Sequence, residues 1–209
     1  FTIRNWSGYV DVAAFWTEYD DMIEFIFGAY PPDTSDIITI EDIGFKSLNI
    51  GDARITGIDI GVSGTGLIRK TPVTLFAGYT YMNPVDLSSD TLENNILKYR
   101  YRHSFKSDID VQVRKFSFGL STIYRSFMER IDEAFEEPII GTEIFPGLKT
   151  YRQENNSGDI VFDLRISYAF NPSTSLSFIA KNILNNEYMG RPGDIQPPRS
   201  FTLQFLLDL

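Results

Sequence analysis

The sequence has no cysteine and a single histidine, His103, in 209 residues. It can therefore build neither a disulfide framework nor a thiolate metal site, and zinc chemistry based on histidine has too few ligands. No apolar run approaches the roughly 18 residues that a membrane-crossing helix needs. Cations are also short, with 19 Lys and Arg against 28 Asp and Glu and a net charge of −9. That balance argues against a nucleic-acid partner, because phosphate binding needs clustered positive charge. The chain starts at Phe1 with no initiator Met and no charged-then-apolar leader, so a signal peptide is expected to have been removed or to lie far upstream.

Aromatic residues are plentiful: 11 Tyr and 17 Phe contribute to a 14% aromatic share. They are spread through short segments in which apolar and polar residues alternate, the period of a strand whose faces meet different surroundings. Val10, Val12, Ala14 and Trp16 share one parity, which flips by Ile23, Phe25 and Phe27; a bulge or an exit from an apolar layer accounts for the flip. A second strand is expected from about Phe45 to Ser63, then a compact turn over residues 63–72, then Val73 to Met82. Phe105 to Val113 and Phe116 to Tyr124 form a pair around Arg114-Lys115, and Ile160 to Phe170 is the clearest alternation. Leu176, Phe178 and Ala180 follow the turn Asn171-Pro172-Ser173, and Phe201 to Leu209 closes the chain.

About eight strands result. Breaker-rich or polar stretches at Gly28–Asp36, Asn83–Tyr101, Met128–Ser157 and around Pro197-Pro198 make long connections after strands one, three, five and seven, and short ones follow two, four and six. Short turns at one end and long loops at the other are what a membrane β-barrel presents, and its lumen-facing polar residues dilute the hydrophobicity of each strand. Leu164, Ile166, Leu203 and Phe205 are then expected on the lipid face with Phe162, and Asp163, Arg165, Thr202 and Gln204 on the other.

The last stretch carries a resemblance. Lys181-Asn-Ile-Leu-Asn-Asn-Glu-Tyr188, Gly190-Arg-Pro-Gly-Asp-Ile-Gln-Pro-Pro-Arg199 and Ser200-Phe-Thr-Leu-Gln-Phe205 resemble the C-terminal signature of TonB-dependent outer-membrane receptors. Gly8 to Ile23 and Asn49 to Ile60 resemble barrel strands of the same family. The resemblance implies an all-β fold: residues 1–209 as the C-terminal part of a roughly 22-stranded antiparallel transmembrane barrel, its plug domain and N-terminal strands absent, leaving an open curved sheet. It also implies a bacterial outer-membrane receptor for a scarce nutrient such as an iron–siderophore complex. Its partners would be the outer-membrane lipid, a small-molecule ligand, and TonB acting through the missing plug region. Long loops would be extracellular and the C-terminus periplasmic. Such barrels usually end on an aromatic residue, whereas this chain ends on Leu209. The other readings are a self-contained eight-stranded surface barrel and a soluble β-sandwich.

Arg102, His103 and Arg125, at the mouth and lumen side, are the candidate ligand-binding residues, although a lone His is more often a packing or solvated residue. The acidic group Glu129, Asp132, Glu133, Glu136, Glu137 and Glu143 lacks calcium-loop spacing and reads as a solvated charged loop. The Gly64 to Thr71 run has no Gly before Lys70 and no following helix, so it is no phosphate loop. No catalytic constellation can be picked out, and neither enzyme activity nor a cofactor or metal is expected.

Overall fold

The computed structural model describes residues 1–32, 37–88, 95–137, 141 and 143–208. Among them, nine strands form one antiparallel sheet in strict chain order: β1 (Thr2–Ile3), β2 (Trp6–Ala29), β3 (Ile43–Ile68), β4 (Thr71–Asp86), β5 (His103–Val113), β6 (Phe116–Arg125), β7 (Asp159–Asn171), β8 (Thr174–Lys181) and β9 (Ser200–Leu207). β1 is an added two-residue strand, hairpinned onto Trp6 and Ser7. The other eight are those expected from the alternation. β9 does not return to β2, so the sheet stays open.

Register assigns the faces. Ile58 pairs with Tyr81, Tyr81 with His103, Leu75 with Ile109, Ile109 with Leu120, and Leu120 with Leu164. The row continues through Ala180 and Phe201, with Ile166, Phe178 and Leu203 beside it. Directly paired residues point to one side, so one face is predominantly apolar along this row. The opposite face carries Asp59 bonded by Thr80 at 2.6 Å, Asp110 bonded by Ser117 at 2.6 Å, and Arg165 paired with Asp110. Phe162, Leu164, Ile166, Leu203 and Phe205 thus share the apolar side, as the alternation requires, and Asp163, Arg165, Thr202 and Gln204 the polar one.

Much of the apolar side is uncovered among the described residues. Val12 is 67% exposed, Trp16 66% and Leu203 71%. In water each such side chain would forgo about 1.5–3 kcal/mol of burial. A hydrocarbon solvent removes that cost, and the face is bounded as a lipid-facing wall would be. Tyr79, Tyr81 and Tyr124 lie toward the long-loop end, while Phe116, Tyr168 and Phe170 cluster at the short-turn end with ring centroids 4.9–5.0 Å apart.

Three short turns, at residues 4–5, 69–70 and 114–115, open on Arg4, Arg69 and Arg114 with φ of 52°, 61° and 56°. The strand boundaries depart from the sequence reading in two places. Residues 63–72 are not a turn: β3 continues to Ile68, because Gly64 and Gly66 lie in register opposite Gly8 and Trp6, and a Cβ at Gly66 would fall 2.5 Å from the Trp6 ring. β4 likewise runs past Met82 to Asp86, its Pro84 paired with Ile55. Asp33–Asp36 of the first loop and the terminal Leu209 lie outside the described residues.

The parity flip in β2 is a double bulge. Register shifts fall between Tyr19 and Met22 and again between Met22 and Ile23, adding one residue to β2 and then one to β3 at Ile50, next to Gly51, whose φ is 84°. Asp21 sits at φ 54° and accepts from the Asn49 side chain at 2.9 Å. An extra residue exchanges the faces of odd and even positions. Ile23 and Phe25 therefore stay on the side of Val12 and Trp16, both 68% exposed. Glu24 and Ile26 turn inward.

Candidate functional site

The four long connections all leave the same end of the sheet. The described residues of three of them, within 87–102, 126–158 and 182–199, pack into a crown that holds a hydrophobic cluster: Met128, Ile131, Phe135 and Leu148, with Phe27, Tyr99, Tyr101, Ile144, Tyr151 and Met189 against it. Among its described residues the longest connection contains a helical turn at Glu133–Phe135 and a short helix, α1 (Leu148–Glu154). Met128 and Ile131 lie in irregular chain ahead of the turn that carries Phe135, whereas Leu148 and Tyr151 stand three residues apart on one side of α1. Tyrosine hydroxyls stitch the pieces together. Tyr101 donates to the Gly190 carbonyl at 2.9 Å and Tyr151 to the Glu187 carbonyl at 3.0 Å.

Asp132 is the hub. Only 1% exposed, its carboxylate accepts from the Lys98 ammonium at 2.6 Å, the Tyr99 hydroxyl at 2.6 Å and the backbone N–H of Phe27 at 2.7 Å. Burying a carboxylate costs several kcal/mol unless its oxygens are satisfied, and here a cation and two further donors meet it. Burial, with the bond to Asp132, raises the Tyr99 phenol far above its ordinary range. Asp132 is the buried exception in an acidic stretch whose Glu129, Glu133, Glu137 and Glu143 stay exposed. Glu129 binds Arg102 at 2.6 Å, Glu136 binds Arg152 at 2.7 Å, Glu137 binds Lys149 at 2.5 Å, and Glu143 caps the Gly147 N–H at 2.9 Å. Three of these carboxylates are thus paired with cations of the crown itself. Nearby, Glu24 pairs with Arg100 at 2.9 Å.

The three candidate residues separate. Arg125 is on the polar face, in register with Asp159, its guanidinium 5.3 Å from the Tyr101 ring and 5.7 Å from the Tyr188 ring. Arg102 is tied to Glu129 and to the Asn83 side chain at 2.8 Å. His103 requires a correction of side. It pairs with Tyr81 on the apolar face, not the lumen face, and its Nδ1 lies 2.7 Å from the Tyr79 hydroxyl. The alternation of β5 already placed Phe105 outward, so His103 two residues earlier shares that direction.

Sequence reasoning missed the cleft at the edge of β2. A space of about 400 Å³ is lined by Met22, Ile23, Glu24 and Phe25, with Phe45, Tyr99, Arg100, Phe135, Arg191, Pro192 and Asp194. A smaller cavity of about 50 Å³ lies under Tyr101, Leu148, Tyr151 and Arg152, and Arg191 and Pro192 wall both. The Arg191-Pro192-Gly193 breaker run in the last loop was the available signal.

The Asn-rich signature is a structural knot. Asn182, 3% exposed, bonds through its side chain to the Asn186 carbonyl at 2.8 Å and accepts the Asn186 N–H at 3.0 Å, while its own N–H reaches Asp163 at 2.8 Å. Asn186 ties β7 at the Ile160 carbonyl, and Asn185 accepts the Arg199 N–H at 2.9 Å. The knot thus aims the strand β9 onto β8. The family model described as TonB dependent receptor-like, beta-barrel matches residues 1–183. The chain belongs to that family.

Solved structures agree on the fold of this TonB-dependent receptor barrel. The ferric-catecholate import receptor Fiu from E. coli K12, in its closed form, is similar over 95% of this chain and 25% of its own, at 18% identity and a TM-score of 0.62. The copper transporter OprC is similar over 99% of this chain and 29% of its own, at 15% identity and a TM-score of 0.62. The ferripyoverdine receptor of Pseudomonas aeruginosa is similar over 96% of this chain and 25% of its own, at 14% identity and a TM-score of 0.62. The chain therefore spans between a quarter and a third of the length of these structures. No curated protein matches the sequence.

Proposed function

We propose that these residues are the C-terminal part of the barrel wall of an outer-membrane receptor that takes up a scarce nutrient, such as a metal chelate, with energy supplied by TonB through a plug region outside this sequence. The observation that carries the reading is the division of the sheet. One face is apolar and uncovered, the other polar and hydrogen-bonded, and the long connections gather at one end, three of them in a single crown beside a cleft. In this reading the crown faces the cell exterior, the short turns face the periplasm, and the walls beside Arg125 and Arg191 offer cations to an anionic ligand. Arg191 has no ion pair among the described residues, whereas Arg102 is already held by Glu129. Arg102 and His103 then act at most by shaping the mouth.

The similar proteins are named for ferric-catecholate, copper and ferripyoverdine cargo. A metal complex as cargo here rests on that likeness. The test is uptake by cells expressing the full-length receptor, using a panel of labelled ferric siderophores, ferric citrate and copper, with and without functional TonB. Accumulation of one cargo that disappears without TonB is expected. Equal accumulation in both strains would overturn the energised role.

The linear strand order weighs against a self-contained eight-stranded barrel. In a closed barrel β9 would pair with the first long strand, and it does not.

A further inference from the structure

The open edge of β2 divides into two zones at the bulge. Below it, Gly8 exchanges hydrogen bonds with Phe1, its N–H donating at 3.0 Å and its carbonyl accepting the Phe1 amino group at 2.6 Å. That pair extends the β1 hairpin along the edge that β3 leaves free. Amides at alternate residues of a strand point to one edge, so Val10, Val12, Ala14 and Trp16 present theirs on the same side as Gly8. Nothing in the described chain pairs with them, and a row of unpaired amides on a long edge is a template for another strand.

Above the bulge the same edge is already taken. Phe27, an odd residue, now points its N–H away from β3, as one inserted residue requires, and Asp132 accepts it at 2.7 Å. The segment around Asp132 passes round the edge. Arg130 lines a space with Glu24 and Ile26 on the inward side, Asp132 sits at the edge itself, and Phe135 stacks on Phe27 at 4.6 Å. A neighbouring strand cannot occupy the line this segment fills.

We infer that, in the complete receptor, the strand that leads into β1 pairs with β2 only as high as the bulge at Tyr19, and that above it the connection from β6 to β7 clasps the edge in that strand's place. The inference rests on the reading of these residues as part of a larger barrel wall. Its consequence is a step in the wall, at which the cleft lined by Met22 to Phe25 and Arg191 persists instead of being filled by a neighbouring strand.

Hydrogen exchange on the full-length receptor in detergent tests it. Asp132→Ala is expected to speed exchange at the Phe27 amide by tenfold or more while the amides of Val10 to Trp16 stay protected. Undiminished protection of Phe27 in that variant would mean a strand covers it and would overturn the clasp. A second variant avoids dependence on Asp132. The chain has no cysteine, so F27C/F135C places the only pair in these residues where the two rings stack. A short thiol-to-thiol cross-linker should join the two positions in the folded receptor, and failure to cross-link there would equally overturn the clasp. Heat-modifiable mobility of the unmodified receptor reports the larger barrel separately. If no such barrel forms, that broader reading fails whatever the Phe27 amide does.

Discussion

The wall and the crown invert each other's chemistry. In the wall, large apolar side chains such as Leu203 and Phe205 are uncovered while polar ones such as Asp59 and Asp110 find partners on the protected side. In the crown, Met128, Ile131 and Leu148 are buried and the carboxylates Glu129, Glu136 and Glu137 sit outside them in ion pairs. One chain is thus folded for two solvents. The double bulge at Tyr19 to Ile23 lies where β2 leaves the regular wall and begins to meet the crown.

The largest effect should come from removing the crown's hub. Asp132→Asn deletes the charge that Lys98 and Tyr99 meet, and breaking a buried pair costs about 3–5 kcal/mol. Lys98 is about a fifth exposed and can regain some water, which favours the lower end of that range. Limited proteolysis should then cut residues 126–158 readily while the barrel keeps its heat-modifiable mobility. Unchanged resistance to protease would mean that Asp132 does not hold the crown.

A charge on the wall probes the opposite solvent. Leu164→Arg puts a cation near mid-bilayer at a cost of roughly 2–4 kcal/mol, whereas an inward cation meets water. Asp163 already accepts the Asn182 N–H, so the cleaner inward control is Thr202→Arg. The expected outcome is a much lower yield of inserted full-length receptor for Leu164→Arg than for Thr202→Arg. Similar yields would refute the assignment of faces.

How much of this was legible in the sequence follows the same divide. Period-two alternation is local, so Ile160 to Phe170 and Phe201 to Leu207 declared their faces without any knowledge of neighbours. The stretch at 63–72 misled because Gly and Thr signal turns, yet Gly66 is small for the sake of the Trp6 ring across the ladder, a non-local reason. Asp132 was hidden among acidic neighbours of similar appearance. Only the apolar spacing of Met128, Ile131 and Phe135 hinted that one side of that loop is buried, and the partners Lys98 and Phe27 lie 34 and 105 residues away. His103 was placed by its position beside a loop when the parity of its strand would have placed it better.

A smaller effect sharpens the inward face of the wall. Arg165 lies flat over Gly119 to reach Asp110, and a Cβ at Gly119 would stand 2.9 Å from its Nη2. The obstacle is the mobile end of a side chain, so Gly119→Val should displace Arg165 without breaking the ladder. The pair is partly exposed, worth about 0.2–1 kcal/mol. A double-mutant cycle between Arg165 and Asp110 should give such a coupling in the parent and none in the Gly119→Val background. A coupling that survives would show that the flat path over Gly119 is not needed.

The last effect is expected to vanish at neutral pH. The Tyr99 phenol is raised first by burial and then by its bond to Asp132, from an ordinary value of 10.0. A group whose folded pKa lies above its unfolded one stabilises fully below the unfolded value and loses that contribution as pH rises beyond it. Crown stability should therefore be flat through neutrality and begin to fall only above about pH 10, where an unfolded Tyr99 would ionise. Tyrosinate absorbance of the full-length receptor, minus that of Tyr99→Phe, isolates this phenol, and near-UV dichroism follows the crown. The difference signal should appear well above pH 10 and coincide with the loss of dichroism. A difference signal centred on the ordinary tyrosine value would show that Tyr99 is not sealed against Asp132, and the hub would then be open to water.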